Sequence, residues 1–178
     1  MPIVPLRIVK TELPEGQMRL LVMGVGNILL SDDGAGIYAV QELEKEVWPP
    51  NVTMLDGGTF TQDIYHIFEG FDELIVLDVV HARHTPGTIY RLTEDDLIKN
   101  EDQRLSLHDI DLLDSLYMAD LIGKRPKMRV LGIQPENFTT WNIGLTPTLQ
   151  KAFPKFVEAA RQEVLATLAE HGISVPEY

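Results

Sequence analysis

The chain has no cysteine, and that one absence removes disulfide stapling, thiolate zinc sites and a cysteine nucleophile. Any metal held here must be held by carboxylate and imidazole. Serine is scarce, with only Ser31, Ser106, Ser115 and Ser174 in 178 residues. None of them lies in a G-x-S-x-G elbow and no H-E-x-x-H pair occurs, so the common serine-hydrolase and zinc-protease templates are missing. Basic residues are outnumbered, 15 Lys and Arg against 27 Asp and Glu, for a formal net charge of -12. A surface of that sign repels a phosphate backbone and argues against nucleic acid as a partner. Long apolar runs are missing too: the longest nearly uninterrupted one, Leu20 to Leu30, is too short to span a bilayer. The amino-terminal stretch MPIVPLRIVKTELPEGQ lacks the apolar region and cleavage site of a signal peptide. Together these absences lead us to expect a cytoplasmic globular domain without a membrane segment.

What is present reads as one domain of ordinary size, 44% hydrophobic and 24% charged. Residues 1–17, with Pro2, Pro5 and Pro14, show neither helical nor strand period and read as a loosely ordered arm before a domain over 18–178. MRLLVMGV then gives a continuous apolar strand, the pattern of a parallel sheet covered on both faces. A helix should follow, capped by Ser31 or Asp32, with Asp33 in its first turn and Ile37, Val40, Leu43 and Val47 on one face. Further strands are expected at VTMLD (52–56), ELIVLDVV (73–80), PGTIYRL (86–92) and KMRVLGIQP (127–135). Helices are expected at TQDIYHIFEG, closing on Gly70, at HDIDLLDSLYMADLIG (108–123), and in a long carboxy-terminal segment that Pro154 should kink. The acidic runs EDDL and NEDQ read as solvated loop charge.

Strands alternating with helices predict an α/β fold: an open, mostly parallel twisted sheet of about five strands with helices on both faces. Ligands in such sheets bind beyond the carboxyl ends of the strands, at the switch point of strand order. Three strand ends carry carboxylates: Asp32 and Asp33 after the first, Asp56 with Gly57 and Gly58 after the second, and Asp78 in the third. The stretch GVGNILLSDDGAG opens like a dinucleotide-binding turn, but Leu29 stands where the third glycine of G-x-G-x-x-G belongs, and two aspartates stand where a pyrophosphate would sit. An ionised Asp78 inside an apolar strand calls for a hydrogen-bonding, charged or metal partner. His81 and His84 lie close to Asp78 in sequence, although HARHTPG reads as a surface turn, and His66 and His171 read as structural.

GVGNILLSDDGAG, then LDGGT, then the aspartate of LIVLDVV, then PGTI, LSLHD, GIQPE and IGLTPT, in this order and spacing, resemble the nickel-iron hydrogenase maturation endopeptidases. The resemblance runs from about Met18 to Val164 and implies an α/β fold. It also implies removal of a carboxy-terminal extension from the large-subunit precursor after nickel insertion. Carried over residue by residue, it puts the catalytic and nickel-recognising roles on Asp33, Asp78 and His108. It makes nickel a group carried by the precursor, which is the expected partner of a protease acting as a monomer. The amino-terminal arm is a departure from the family pattern.

Two carboxylates and an imidazole leave coordination positions open, as a catalytic metal site requires. With no thiol and no suitably placed serine, water is the expected nucleophile. Asn27 is expected to anchor the first loop, and Asp56, Gly57, Gly58 and Thr59 form a possible substrate loop. Two other readings stand beside this one: a hydrolase holding its own ion at the same residues, and a noncatalytic module binding a precursor or a dinucleotide.

Overall fold

Leu-Leu-Val-Met-Gly forms strand β1 (Leu20–Gly24), buried at every position, and its place in the sheet explains why. The computed structural model describes residues 13–59, 66–99, 109–123 and 125–175. In it β1 pairs in parallel with β2 (Val52–Asp56) on one side and β3 (Glu73–Val79) on the other. β3 pairs in parallel with β5 (Lys127–Ile133), and the edge strand β4 (Ile89–Thr93) runs antiparallel to β5. The order is β2-β1-β3-β5-β4. Strands β1 and β3 are central and covered on both faces, so they read as unbroken apolar runs.

Alternate side chains go to opposite layers. Leu20, Val22, Ile75, Leu77, Leu131 and Ile133 pack under helix α1 (Ala35–Glu44) and helix α4 (Pro147–Glu170). On the other face Leu21, Met23, Leu74, Val76, Met128 and Val130 meet Phe68, Leu97 of helix α2 (Glu94–Lys99), and Leu113, Leu116 and Ala119 of helix α3 (Asp109–Leu121). Each such aliphatic side chain taken fully from water is worth about 1.5–3 kcal/mol. The expected α/β sheet with helices on both faces is therefore the observed one.

Several boundaries differ from expectation for identifiable reasons. Helix α1 stops at Glu44, so Val47 lies beyond it and is exposed rather than continuing the Ile37, Val40, Leu43 stripe. The long carboxy-terminal helix is present as expected: α4 includes Pro154, with Leu149, Phe156, Ala160, Val164 and Leu168 buried along its inner side. Of the helix expected to close on Gly70, only 66–70 is described; 66–68 form a 3-10 turn and Gly70 has a positive φ. The run EDDL is not loop but the start of α2. Thr93 Oγ1 accepts from Asp96 N, while Asp96 Oδ2 accepts from Thr93 N at 2.8 Å, a capping box that starts the helix and lets Leu97 reach the core. The arm is described only from Leu13, and NEDQ lies outside the described residues.

Candidate functional site

Chain order decides where a cleft opens. From β1 the chain passes to β2 on one side, then returns to β3 on the other, so the loops leaving β1 and β3 diverge at the switch point between them. The loop after β1 ends in a short 3-10 turn (Ser31–Gly34) that packs against β3 and leads into α1. Two glycines make this approach possible. A Cβ on Gly36 would stand 2.1 Å from the carbonyl oxygen of Leu77, and one on Gly26 would stand 2.0 Å from that of Asp33. Gly26 of the G-x-G pattern and Gly36 in the first turn of α1 thus serve close packing of the Asp33 turn on the sheet.

Asp33 is buried in that turn. Its Oδ2 accepts the backbone N–H of Asn27 at 2.9 Å, and its own N–H donates to Leu30 O. Asn27 does anchor the loop, since its Oδ1 accepts Leu29 N–H at 3.0 Å in an Asx turn. Asp78 is buried at the carboxyl end of β3, opposite Gly132, and its Oδ1 accepts Val79 N–H at 2.8 Å. Backbone donors of this kind fix a carboxylate's direction and lower the cost of burying its charge. The fold therefore brings the elements carrying Asp33 and Asp78 together. His108 lies outside the described residues, immediately before α3. Among the described residues no three His, Asp or Glu side chains stand close enough to hold a metal ion.

Asp32 does not cap a helix. Neither the 3-10 turn nor α1 has a side-chain cap at its start. Instead Asp32, fully buried, accepts hydrogen bonds from Glu136 N and Asn137 N at 3.0 Å and from Thr146 N at 2.8 Å, and also from Thr146 Oγ1. It ties the turn to the loop after β5 and to the N-cap of α4. The same two segments are laced by Ser31 N to Asn142 O and Asn142 N to Leu29 O. The Thr-Pro pair at the start of α4 carries the cap signal in the sequence, but nothing local shows that its threonine is shared with an aspartate.

The expected substrate loop sits beside the Asp33 turn. Asp56 Oδ1 accepts Gly58 N–H, Gly57 N–H donates to Gly24 O, and Gly26 N–H donates to Gly58 O, so the loops after β1 and β2 are joined.

The two histidines after β3 part company. His84 Nδ1 lies 2.9 Å from the Tyr90 hydroxyl, which itself donates to Gln134 Oε1. His81 instead turns inward. Its ring meets Phe138 edge-on with centroids 4.2 Å apart, and its Nε2 is buried with no hydrogen-bond partner among the described residues. Burial pushes its pKa below 6.5, opposed by the Asp78 carboxylate. A surface-turn reading of HARHTPG misses this, because Phe138 comes from the loop after β5. His171 is structural as expected, with Nε2 3.1 Å from Glu73 Oε1.

The chemistry available is that of two buried carboxylates, each oriented by a backbone N–H, at the switch point of the sheet. Comparison with known proteins gives this a context. Residues 37–163 match the family model described as hydrogenase maturation protease. The hydrogenase 2 maturation protease of Escherichia coli K12 is 36% identical over 159 residues, covering 88% of this chain and 94% of that protein. The hydrogenase expression/formation protein HupD of Bradyrhizobium diazoefficiens is 36% identical over 160 residues, covering 88% and 81%. Among solved structures, the hydrogenase maturating endopeptidase HybD from E. coli superposes with a TM-score of 0.76 at 34% identity, covering 89% of this chain and 96% of that one. A hydrogenase maturation protease from Thermococcus kodakarensis, 22% identical, shares the fold with a TM-score of 0.68 over 82% and 98% of the two chains. The order of motifs, the sheet and these likenesses agree, and the chain belongs to the hydrogenase maturation protease family.

Proposed function

We propose that this protein is the endopeptidase that removes the carboxy-terminal extension of a nickel-iron hydrogenase large-subunit precursor once nickel has been inserted. In this reading it works in the cytoplasm as a monomer and the precursor is its partner. Nickel arrives as part of the substrate. Asp33, Asp78 and His108 complete its coordination and so hold the scissile bond in the cleft. The observation that carries the reading is the arrival of Asp33 from the turn after β1 and of Asp78 from the carboxyl end of β3 at the β1–β3 switch point, in a cysteine-free chain of a protease family.

Carboxylate and imidazole ligands do not select nickel by affinity, since the general order of divalent ions places copper above it. Selectivity is therefore assigned to the precursor, which presents nickel already bound. Orientation of a bound peptide bond can supply about 7–11 kcal/mol of a barrier, and water is the nucleophile that the side chains leave available.

The test is processing of nickel-loaded precursor by Asp33→Ala and His108→Ala proteins, with folding followed by circular dichroism. Both variants are expected to fold and to leave the precursor whole. Normal shortening by either would remove that residue from the site. Elemental analysis of protein purified without added metal separates the second reading: a stoichiometric, tightly held ion would favour a hydrolase with its own metal.

A further inference from the structure

The loop that carries Asp33 also forms one wall of an apolar pocket. A cavity of about 310 Å³ lies between the loops after β1 and β2, walled by Ile28 and Leu29 and by Ile37 of α1, with Gly58 and Thr59 on the β2 side. Ile28 and Leu29 are large aliphatic side chains left 39% and 45% exposed, on a loop whose other groups are held in place by hydrogen bonds. Among the described residues the only charged group on the lining is Asp56, and one of its carboxylate oxygens is engaged by Gly58 N–H. The volume lies at the bottom of the range of about 300–1,000 Å³ typical of ligand pockets, a size for one or two side chains rather than a cofactor.

Place in the chain says what fills it. Ile28 and Leu29 stand between Asn27, whose N–H holds Asp33 Oδ2, and Leu30, whose carbonyl accepts Asp33 N–H. A peptide brought to the Asp33 turn therefore meets the loop that walls this pocket. We infer that the pocket receives an uncharged aliphatic side chain of the precursor, close to the scissile bond, and sets sequence preference there. An acidic side chain is turned away by the apolar walls and by Asp56. This deepens the proposed endopeptidase reading and rests on it.

The experiment uses the whole protein and nickel-loaded precursors in which each of the three residues on either side of the cleavage point is changed in turn to Leu, Ala or Asp, with nickel content measured first. At one position the Leu form should be cut with a kcat/KM at least about tenfold above the Asp form, the scale at which apolar pockets discriminate. Leu29→Asp should bring that ratio to about twofold or less while ratios at the other positions stand. Leu121→Asp, on the exposed end of α3, should change none of them. No discriminating position, or a preference that survives Leu29→Asp, would overturn the pocket. Failure of the wild-type protein to cut any precursor would instead defeat the endopeptidase reading. The pocket would then be judged by binding of the same precursors, with the same Leu-over-Asp ratio expected and equal affinities overturning it.

Discussion

Both ends of the sheet bury carboxylates, and they hold them in different ways. At the end where β3 and β5 begin, Glu73 meets His171 at 3.1 Å and Arg129 at 4.0 Å, while Arg129 also reaches Glu163 at 3.4 Å and Glu170. Arg91 completes the group at 2.9 Å from Glu163. There cations match acids: Glu170 is held below its usual pKa through its hydrogen bond to Arg129, and the Arg129 guanidinium is raised above its usual value by the same bond. At the other end Asp33 and Asp78 each receive a backbone N–H, and Asp32 receives three backbone N–H groups and a hydroxyl. Guanidinium groups neutralise a carboxylate, whereas amide donors chiefly aim it. The first arrangement suits a structural anchor; in the proposed reading, the second aims carboxylates at a cation that arrives with the substrate.

Substitutions that separate charge from hydrogen bonding test that contrast. Asp78→Asn keeps an oxygen for Val79 N–H and removes the charge. It should lower processing of nickel-loaded precursor by about 10²–10³-fold, the scale of losing one electrostatic contact at a reacting centre, with the thermal midpoint little changed. Asp32→Ala should act on stability instead, because it strands buried backbone donors at about 1–3 kcal/mol each. A loss of about 3–5 kcal/mol in urea unfolding is expected. Arg129→Met at the opposite end leaves Glu73 and Glu163 less compensated and should cost about 2–3 kcal/mol, below the penalty for a fully buried pair, with processing retained. A large processing defect in Arg129→Met would erase the distinction between the two ends.

The smallest expected effect lies at α2. Thr93→Ala removes the capping box and should cost about 1 kcal/mol. Hydrogen bonds from Thr93 N–H and then its hydroxyl hold the Asp96 carboxyl below 3.8. A carboxyl lowered in the folded state binds its proton more readily unfolded, so its stabilisation is present above pH 3.8 and is lost as pH falls through the folded value. The gap between wild type and Thr93→Ala should therefore narrow in acid, as read by unfolding curves at pH 7 and pH 3.

Sheet and site differed in how far the sequence alone could show them. The central strands were legible because burial on both faces leaves an unmistakable apolar run, as in LLVMG and ELIVLDV. That Asp33 and Asp78 lie at the carboxyl end of the sheet was legible because the apolar runs mark where the first and third strands stop, whereas their roles come from the family resemblance. The role of Asp32 was not, since its partners lie 104 to 114 residues away and are set by folding rather than by local spacing. The same holds for His81, whose ring packs edge-on against Phe138 from another loop. Helix α2 was hidden for the opposite reason: its signal is local, but Thr93 and Asp96 sit in an acidic run whose charge drew attention from the capping pattern.

In the proposed reading, cleavage depends on nickel carried by the precursor. Purified protein incubated with nickel-loaded and nickel-free forms of the same large-subunit precursor, with the product sized by mass spectrometry, tests it most directly. A single carboxy-terminal truncation of the loaded form is expected, and none of the nickel-free form. Equal truncation of both would contradict it.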